Sequence, residues 1–349
     1  MNWFEKHITC NDSVFIIAEA GINHNGNFDL ALELIRRAKE ASADCIKFQT
    51  FKTEASESKN STSPGYFEGR FGNMTKQEWS KSLEFTTEQF KQLKDYCAEL
   101  DIAFFSTACD MIGLQILTDI GAEAIKIASA DTNNDYLLKA IGKTELPIIL
   151  STGMSTEEEI SRAIKVLNKN GTKQLALLQC TSQYPTPYDE INLRVINTLE
   201  KKFKIPVGLS DHSEGMHIPV AATALGAKII EKHFTTDRNL PGVDHAASID
   251  PVHFKKMVVQ IRDIEVALGN CEKKVQNVEI ENAKHMRRSL IAAKEIKAGK
   301  VLSENDITAK RPGIGMPPCL IDKIIGKKIK VNLELDDMFD YSMFEDLDA

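Results

Sequence analysis

No stretch of this chain approaches the roughly 18 consecutive apolar residues that a membrane span requires, so no transmembrane helix is expected. The first ten residues, MNWFEKHITC, lack the basic segment and apolar core of a secretory signal, and the chain is expected to work in the cytoplasm. CxxC spacing is also missing. The seven cysteines, Cys10, Cys45, Cys97, Cys109, Cys180, Cys271 and Cys319, are odd in number and scattered, which fits reduced thiols better than a disulfide frame or structural zinc. There is no cationic excess: 43 Lys and Arg against 50 Asp and Glu leave a net charge of −7. That balance disfavours non-specific binding to nucleic acid or an anionic membrane, while leaving room for a local cationic pocket. What is present is ordinary for a globular protein, with 42% apolar and 27% charged residues over 349 positions. This length accommodates a βα barrel of about 250 residues and one small further unit.

From Val14 onward, short β-branched or apolar runs alternate with longer amphipathic stretches, the pattern of βα units around a parallel sheet. Eight runs are found: VFIIAEAG from Val14, CIKFQT from Cys45, IAFFST from Ile102, AIKIAS from Ala124, PIILST from Pro147, QLALLQC from Gln174, IPVGLS from Ile205 and KIIEKHF from Lys228. Between the first two, the stretch from Leu30 places Leu30, Leu34, Ile35 and Ala38 on one helical face. Eight strands with interleaved helices predict an α/β fold of the closed (β/α)8 TIM barrel type rather than an open doubly wound sheet. The Ser-, Thr-, Gly- and Lys-rich segment 51–83 is too long for a simple connector and reads as a substrate-covering loop. A helix from Pro251 to Leu268 closes the eighth unit. The domain boundaries expected are 1–270 for the barrel, 271–286 for a polar linker and 287–349 for a small β-rich unit, in which Lys-Ala-Gly and Pro/Gly turns break short apolar pairs.

Each predicted strand ends in polar residues that have no place in a packed core. The first ends at Glu19, followed by Asn23, His24 and Asn25 in a turn. The second carries Lys47 and Gln49 on one side, two residues apart. Thr107, Lys126 and Ser129, and then Ser151, Thr152 and Gly153, end the next three. A lysine aimed into a barrel is costly unless it meets negative charge. Lys47 and Lys126 beside the hydroxyls of Thr107, Ser129, Ser151 and Ser210 therefore point to a phosphate, or a phosphate with a carboxylate. A Schiff-base lysine, as in a class I aldolase, is the competing reading. His212 in GLSDH and His233 in EKHFT stand at the ends of the last two strands. They read as a divalent-metal pair with open coordination positions; two hydrogen-bonded rim histidines are the plainer alternative.

At these positions the chain resembles the sialic acid synthase family. The matching runs are IIAEAGINHNG (Ile16 to Gly26), KFQTFK (Lys47 to Lys52), LSTGM (Leu150 to Met154), YPTP (Tyr184 to Pro187), GLSDH (Gly208 to His212), EKHFT (Glu231 to Thr235) and KRPG (Lys310 to Gly313). The tail resembles the family's antifreeze-like SAF domain, a β-clip that in this family reaches over the partner's barrel in a domain-swapped homodimer. The resemblance implies condensation of phosphoenolpyruvate with the open-chain form of an N-acetylmannosamine-type sugar, giving a nine-carbon α-keto acid and phosphate. It implies Mn²⁺ or Mg²⁺ on His212 and His233. Lys47, Thr107, Lys126, Ser129, Ser151, Ser182 and Ser210 are the implied phosphoenolpyruvate contacts, and Gln49, Tyr184, Asp244 and Arg311 the implied sugar contacts. Glu19, Lys47, Lys126 and Asp131 are implied to act in the chemistry.

Several positions depart from the family pattern. Ala130 and Asp131 replace a Gly-Glu, so the carboxylate is one methylene shorter. Ser182 stands where Asn or Thr is common, Val243 where Pro is common, and STACD from Ser106 replaces STPFD. The stretch YFEGRFGNMTKQEW from Tyr66 is also unlike the mannosamine-specific members. A less polar pocket near Val243 or Cys109 would tolerate a methyl group in place of a hydroxyl, as in the 6-deoxy diacetamido sugars that lead to legionaminic or pseudaminic acid. Two further alternatives are a heptulosonate-type synthase, for which a second phosphate cluster is missing, and a non-catalytic carbohydrate- or ice-binding protein.

Overall fold

The computed structural model describes residues 3–10, 13–62, 74–345 and 347. They form two compact units, Met1–Gly269 and Asn270–Ala349. In the first unit, eight parallel strands close on themselves in sequence order: β1 (Phe15–Gly21), β2 (Cys45–Thr50), β3 (Ala103–Ala108), β4 (Ile125–Ile127), β5 (Ile148–Ser151), β6 (Leu175–Cys180), β7 (Val207–Asp211) and β8 (Ile229–His233). The eight runs read from the sequence are the eight strands of the (β/α)8 barrel.

Local chemistry explains why the connecting helices begin where they do. Asn27, Asp110 and Asn134 each accept a backbone N–H with the side chain at a helix start. Thr86 with Gln89 and Thr156 with Glu159 form reciprocal capping boxes. Asp250 caps the last helix, Pro251–Leu268, with proline in the first turn, where its missing N–H has no cost. In the helix Phe28–Glu40 the buried face is Ala31, Leu34, Ile35 and Ala38. Leu30, placed on that face by its spacing, is only half-buried because Ala31 turns inward beside it.

Alternation along the strands makes two cores. Outward residues such as Ile16, Ile46, Phe104, Ile125, Leu150, Leu177 and Leu209 pack under the helices. Inward residues Phe15, Ile17, Cys45, Phe105, Ile149, Leu178 and Ile229 fill the barrel. Trp3, Phe4 and Ile8 seal its N-terminal end, with Trp3 edge-on to Phe105 at 4.6 Å and to Phe15 at 5.0 Å. With that end filled by rings, polar chemistry is left to the opposite rim.

The long segment 51–83 is anchored at its base, where Glu84 accepts from Thr53 N (2.8 Å) and from Lys52 Nζ (3.0 Å). Short helices occupy Thr53–Ser56 and Lys76–Ser82. The expected covering stretch from Tyr66 falls, as far as Asn73, outside the described residues.

In the second unit β9 (Ser289–Ala292) and β10 (Ile307–Lys310) pair antiparallel, and isolated bridges join Ile291 to Met338, Ile296 to Leu333 and Val301 to Lys328. Leu290, Ile296, Leu302, Met316, Ile324 and Phe339 form its own small core. The segment 271–286, read from the sequence as a linker, contains the helix Ile280–Met286 and is held to this unit where Gly313 N donates to Lys284 O (2.7 Å).

One glycine marks a close approach of two barrel strands. A Cβ on Gly208 would lie 2.2 Å from the carbonyl oxygen of Ile229, so β7 and β8 could keep their pairing only by moving apart. Gly208→Ala is expected to destabilise the barrel by about 1–3 kcal/mol, read as a lower urea midpoint. An unchanged midpoint would show that the strands yield at no cost.

Candidate active site

The polar rim is the continuation of the apolar filling, one inward position further along each strand. Glu19 follows Ile17 by two residues, Lys47 follows Cys45, Thr107 follows Phe105, Ser151 follows Ile149, Cys180 follows Leu178 and Glu231 follows Ile229. The parallel register then sets neighbours: Glu19 pairs with Lys47 on one side and with His233 on the other, and Thr107 pairs with Lys126. Both lysines and both histidines thus line a single cavity of about 750 Å³ at the C-terminal end of the strands.

Two buried ammonium groups dominate its floor. Lys47 Nζ lies 2.7 Å from Glu19 Oε2 and donates to Thr107 Oγ1 at 3.1 Å. Lys126 Nζ donates to Ser151 Oγ at 2.6 Å and to the Ile127 carbonyl at 3.0 Å. Glu231 stands between them, 3.8 Å from Lys47 and 3.9 Å from Lys126, and accepts from Ser210 Oγ at 2.9 Å. Burial alone would discharge every one of these groups. Burial does lower the Lys126 pKa, with Glu231 opposing. For Lys47 the carboxylates of Glu19 and Glu231 outweigh burial and the direction is upward. Glu231 is driven down against its burial by Lys126 and Lys47. Glu19 is pushed up by burial to about 7 although Lys47 opposes it, which leaves it able to exchange a proton near neutral pH. Glu19 Oε2 is thus engaged by the Lys47 ammonium, whereas Glu231 Oε2 is buried with no hydrogen-bond partner and meets Lys47 only at 3.8 Å.

A wall of hydroxyls rises from the β4, β5 and β6 ends. Ser129 Oγ accepts from Gly153 N at 3.0 Å. A Cβ at Gly153 would come within 2.4 Å of Ser182 Oγ and 2.9 Å of Ser129 Oγ, so only glycine lets these two hydroxyls converge. Ser129, Ser151, Ser182 and Ser210 all line the cavity. Asp131 is half-buried beside this wall, with Asn134 donating to its carboxylate at 2.9 Å, and the cavity surface there is made by Ser129 and Ala130.

Beside the β6 end of this wall, at the tips of β7 and β8, stand the imidazoles. His212 and His233 rings are 5.3 Å apart at 69°, and the ring of Tyr184 lies 4.1 Å from His212. His212 Nδ1 is 2.8 Å from the carbonyl oxygen of Thr181, which only accepts; this ring therefore donates from Nδ1 and presents Nε2 to the cavity side. His233 Nδ1 is buried without a hydrogen-bond partner, 3.8 Å from Asp244 Oδ2. Burial, with His212 adding to it, holds the His233 pKa well below the usual imidazole range, which favours the neutral ring. Burial opposes a charge on His212, but Cys180 and the Thr181 carbonyl reverse the direction. Two imidazoles with an adjacent carboxylate suit a divalent ion. Among the described residues no group of three His, Cys, Asp or Glu is gathered for a metal. An ion on this pair would complete its shell with oxygens from outside the chain.

Gln49 also faces the cavity and donates to Glu19 Oε1 at 3.3 Å. Asn23 and Asn25 act at one remove: Asn23 donates to Phe234 O and Ser248 Oγ, each at 2.9 Å, and Asn25 to Pro241 O at 2.8 Å. They tie down the loop that brings Asp244 to His233. Arg311 belongs to the second unit, where it is exposed and donates from Nε to Met286 O at 3.2 Å. Sequence reasoning missed Glu231. The signal was available, since Glu231 is two residues before His233 and so shares its face.

Fold and site together define a (β/α)8 barrel enzyme with a cation-floored, hydroxyl-walled reaction chamber. The NeuB family model matches residues 34–273, and the SAF domain model matches residues 287–345. An uncharacterized protein of Methanocaldococcus jannaschii is 44% identical over 96% of this chain and 95% of its own length. The N,N'-diacetyllegionaminic acid synthase of Campylobacter jejuni is 40% identical over 93% of this chain and 98% of its own. The crystal structure of N-acetylneuraminic acid synthetase from Leptospira borgpetersenii in complex with citrate is similar at a TM-score of 0.68 and 39% identity, covering 77% of this chain and 90% of that one. The chain belongs to the NeuB family, the sialic acid synthase family, and carries a SAF domain at its C-terminal end.

Replacing the shared carboxylate probes the floor directly. Glu231→Gln is expected to cost about 1–3 kcal/mol of stability, because an amide answers two ammonium groups less well. Inorganic phosphate should then raise the thermal midpoint of the variant more than that of the wild type. Equal shifts would mean that Glu231 and the added anion do not share the lysines.

Proposed function

We infer that this protein is a nonulosonic acid synthase that joins phosphoenolpyruvate to the open-chain aldehyde of an N-acetylmannosamine-type sugar. The carrying observation is the juxtaposition, in one cavity, of Lys47 and Lys126 with a two-imidazole wall. Phosphoenolpyruvate brings a phosphate and a carboxylate, and the floor offers two ammonium groups with the hydroxyls of Thr107, Ser129, Ser151, Ser182 and Ser210. Charge-assisted bonds to such anions are the strong ones. A Schiff base at Lys47 is disfavoured, since Glu19 and Glu231 keep its ammonium charged; at Lys126, which burial discharges in part, Glu231 at 3.9 Å opposes it.

In the reaction, C3 of phosphoenolpyruvate attacks the aldehyde carbon, water adds at C2, and the resulting tetrahedral centre expels inorganic phosphate to leave the α-keto acid. Glu19, beside Lys47 and able to exchange a proton near pH 7, takes the proton from the water and returns one on the sugar side. Lys47 and Lys126 hold the charge of the departing phosphate. His212 and His233, with Asp244 behind, are the residues to hold Mn²⁺ or Mg²⁺, which when bound supplies a Lewis acid for the aldehyde oxygen. Gln49 and Tyr184 face the sugar from the barrel. Arg311 is assigned to the sugar from the SAF domain of a partner, in a domain-swapped homodimer. Asp131, short by one methylene and held by Asn134, acts as a charged neighbour of the hydroxyl wall.

A second acceptor class has its own support. Cys109 lines the cavity and Val243 is buried nearby on the Asp244 loop, and the Campylobacter jejuni relative is a legionaminic acid synthase. A 6-deoxy diacetamido sugar, with a methyl group where the mannosamine type has a hydroxyl, suits those two residues. The non-catalytic carbohydrate- or ice-binding alternative leaves the buried lysines without a purpose.

Purified protein incubated with phosphoenolpyruvate, Mn²⁺ and either N-acetylmannosamine or one of two 6-deoxy diacetamido hexoses is expected to release phosphate and yield a keto acid of the matching mass. Absence of product with every sugar would overturn the reading. Arg311→Ala should raise the sugar KM about tenfold or more with little change for phosphoenolpyruvate. Mixing it with a Lys126→Met partner should restore a component with the wild-type sugar KM; mixtures that keep only the raised KM would place Arg311 outside the site of its partner.

A further inference from the structure

On the outer face of the barrel, beneath the helices, β7 and β8 carry an ion pair where β4 and β5 carry Ile127 and Leu150. Asp211 and Lys232 sit directly opposite each other in the parallel register, with side chains 1% and 3% exposed. Lys232 Nζ donates to Asp211 Oδ2 at 2.5 Å and to the Ser213 carbonyl at 2.8 Å. The other carboxylate oxygen, Oδ1, accepts from Ser213 N at 3.0 Å and Ser213 Oγ at 2.7 Å. The circuit is closed, with Lys232 and Ser213 also lining a small cavity of about 230 Å³. A pair of this kind adds little stability over hydrocarbon of the same volume, because desolvation offsets the attraction. Its position suggests a different use.

Asp211 precedes His212 and Ser213 follows it, while Lys232 precedes His233. One ammonium group therefore binds both chain neighbours of the first imidazole to the chain neighbour of the second. The strand ladder cannot do this, since the β7–β8 pairing ends at Asp211 and Lys232, one residue short of both histidines. The backbone bonds of the two histidines run to different neighbours, while the Tyr184 ring packs against both imidazoles. His212 is tied to the β6 side through Thr181 O and through its own carbonyl, which accepts from Thr186 N at 3.0 Å. His233 is tied to β1 by pairing with Glu19, and its carbonyl accepts from Ile249 N at 2.8 Å.

We propose that Asp211 and Lys232 are positioning residues that set the separation of His212 and His233, and through it the affinity of this rim for a divalent cation. The role rests on the assignment of these histidines to a metal. It lies in neither the cavity floor nor the hydroxyl wall, so it separates cation binding from phosphoenolpyruvate binding.

The test measures Mn²⁺ affinity by electron paramagnetic resonance of the free ion, without substrate, and phosphoenolpyruvate affinity by calorimetry. It compares full-length wild type, Asp211→Asn, the double variant Asp211→Asn/Lys232→Met and His212→Ala. The double variant leaves no lone buried charge, and Asp211→Asn keeps the acceptor for Ser213, so at least one retains the fold. The expected result is Mn²⁺ binding weakened about 10- to 100-fold in both, the range typical of residues that orient metal ligands, with phosphoenolpyruvate affinity within about twofold of wild type. Wild-type Mn²⁺ affinity in these variants, with loss in His212→Ala, would overturn the positioning role and leave the metal assignment standing. Equal loss of both ligands would reduce the pair to general structure and overturn the proposal. Unchanged Mn²⁺ binding in His212→Ala would remove the metal assignment itself, and this proposal with it.

Discussion

Two lysine ammonium groups held inside a barrel share one carboxylate, and the rest of the site is arranged around that constraint. Neither Lys47 nor Lys126 could stay charged at a few per cent exposure without Glu231 between them and Glu19 beside Lys47. Two cations against two carboxylates, one of them raised to about 7, leave the floor receptive to an anion that carries more charge than Glu19 gives up. The hydroxyls of Thr107, Ser151 and Ser210 serve this arrangement in the resting protein by bonding to the same charged groups. They are therefore already oriented toward whatever anion replaces a carboxylate there.

The architecture makes such a floor possible by stacking. The apolar layer of Ile17, Cys45, Phe105, Ile149, Leu178 and Ile229 lies under the charged layer, and Trp3 with Phe15 and Phe105 closes the end beneath it. Water reaches the lysines from one side only. The low dielectric below strengthens every interaction at the floor, while the opening above admits substrate. A single outer-face ion pair, Asp211 with Lys232, then ties together the two strands whose tips bear the imidazoles. Charged side chains of the eight strands are thus concentrated in one layer inside and one pair outside.

Much of this was legible in the chain. The recurrence of short apolar runs between amphipathic stretches located all eight strands, and because side chains alternate by two, Lys47 and Gln49 could be assigned to one side of their strand from the sequence. Some residues were not so readable. Glu231 and Lys232 are adjacent, oppositely charged and both buried, yet one faces the cavity and the other the helices; only counting back from His233 separates them. Leu30 and Ala31 compete for one helical face, and the choice depended on how closely the helix approaches the barrel. The segment 271–286 is polar and weakly periodic, and its helix is held by a single turn of the second unit around Gly313 rather than by any stripe of its own.

The sequence by itself determined the βα repeat, the polar end of every strand and the runs that mark the NeuB family, because period-two alternation and short ordered motifs are local properties. Tertiary structure alone decided which carboxylate each ammonium meets, that His212 presents Nε2 while His233 leaves Nδ1 unpartnered, and that an ion pair on the outer face links the two histidine strands. Those outcomes depend on barrel closure and on the register between strands some twenty to sixty residues apart, as in Lys47 with Thr107 and Asp211 with Lys232. No local pattern records a register. It is set when β8 returns to pair with β1 and every inward side chain must fit the same enclosed volume.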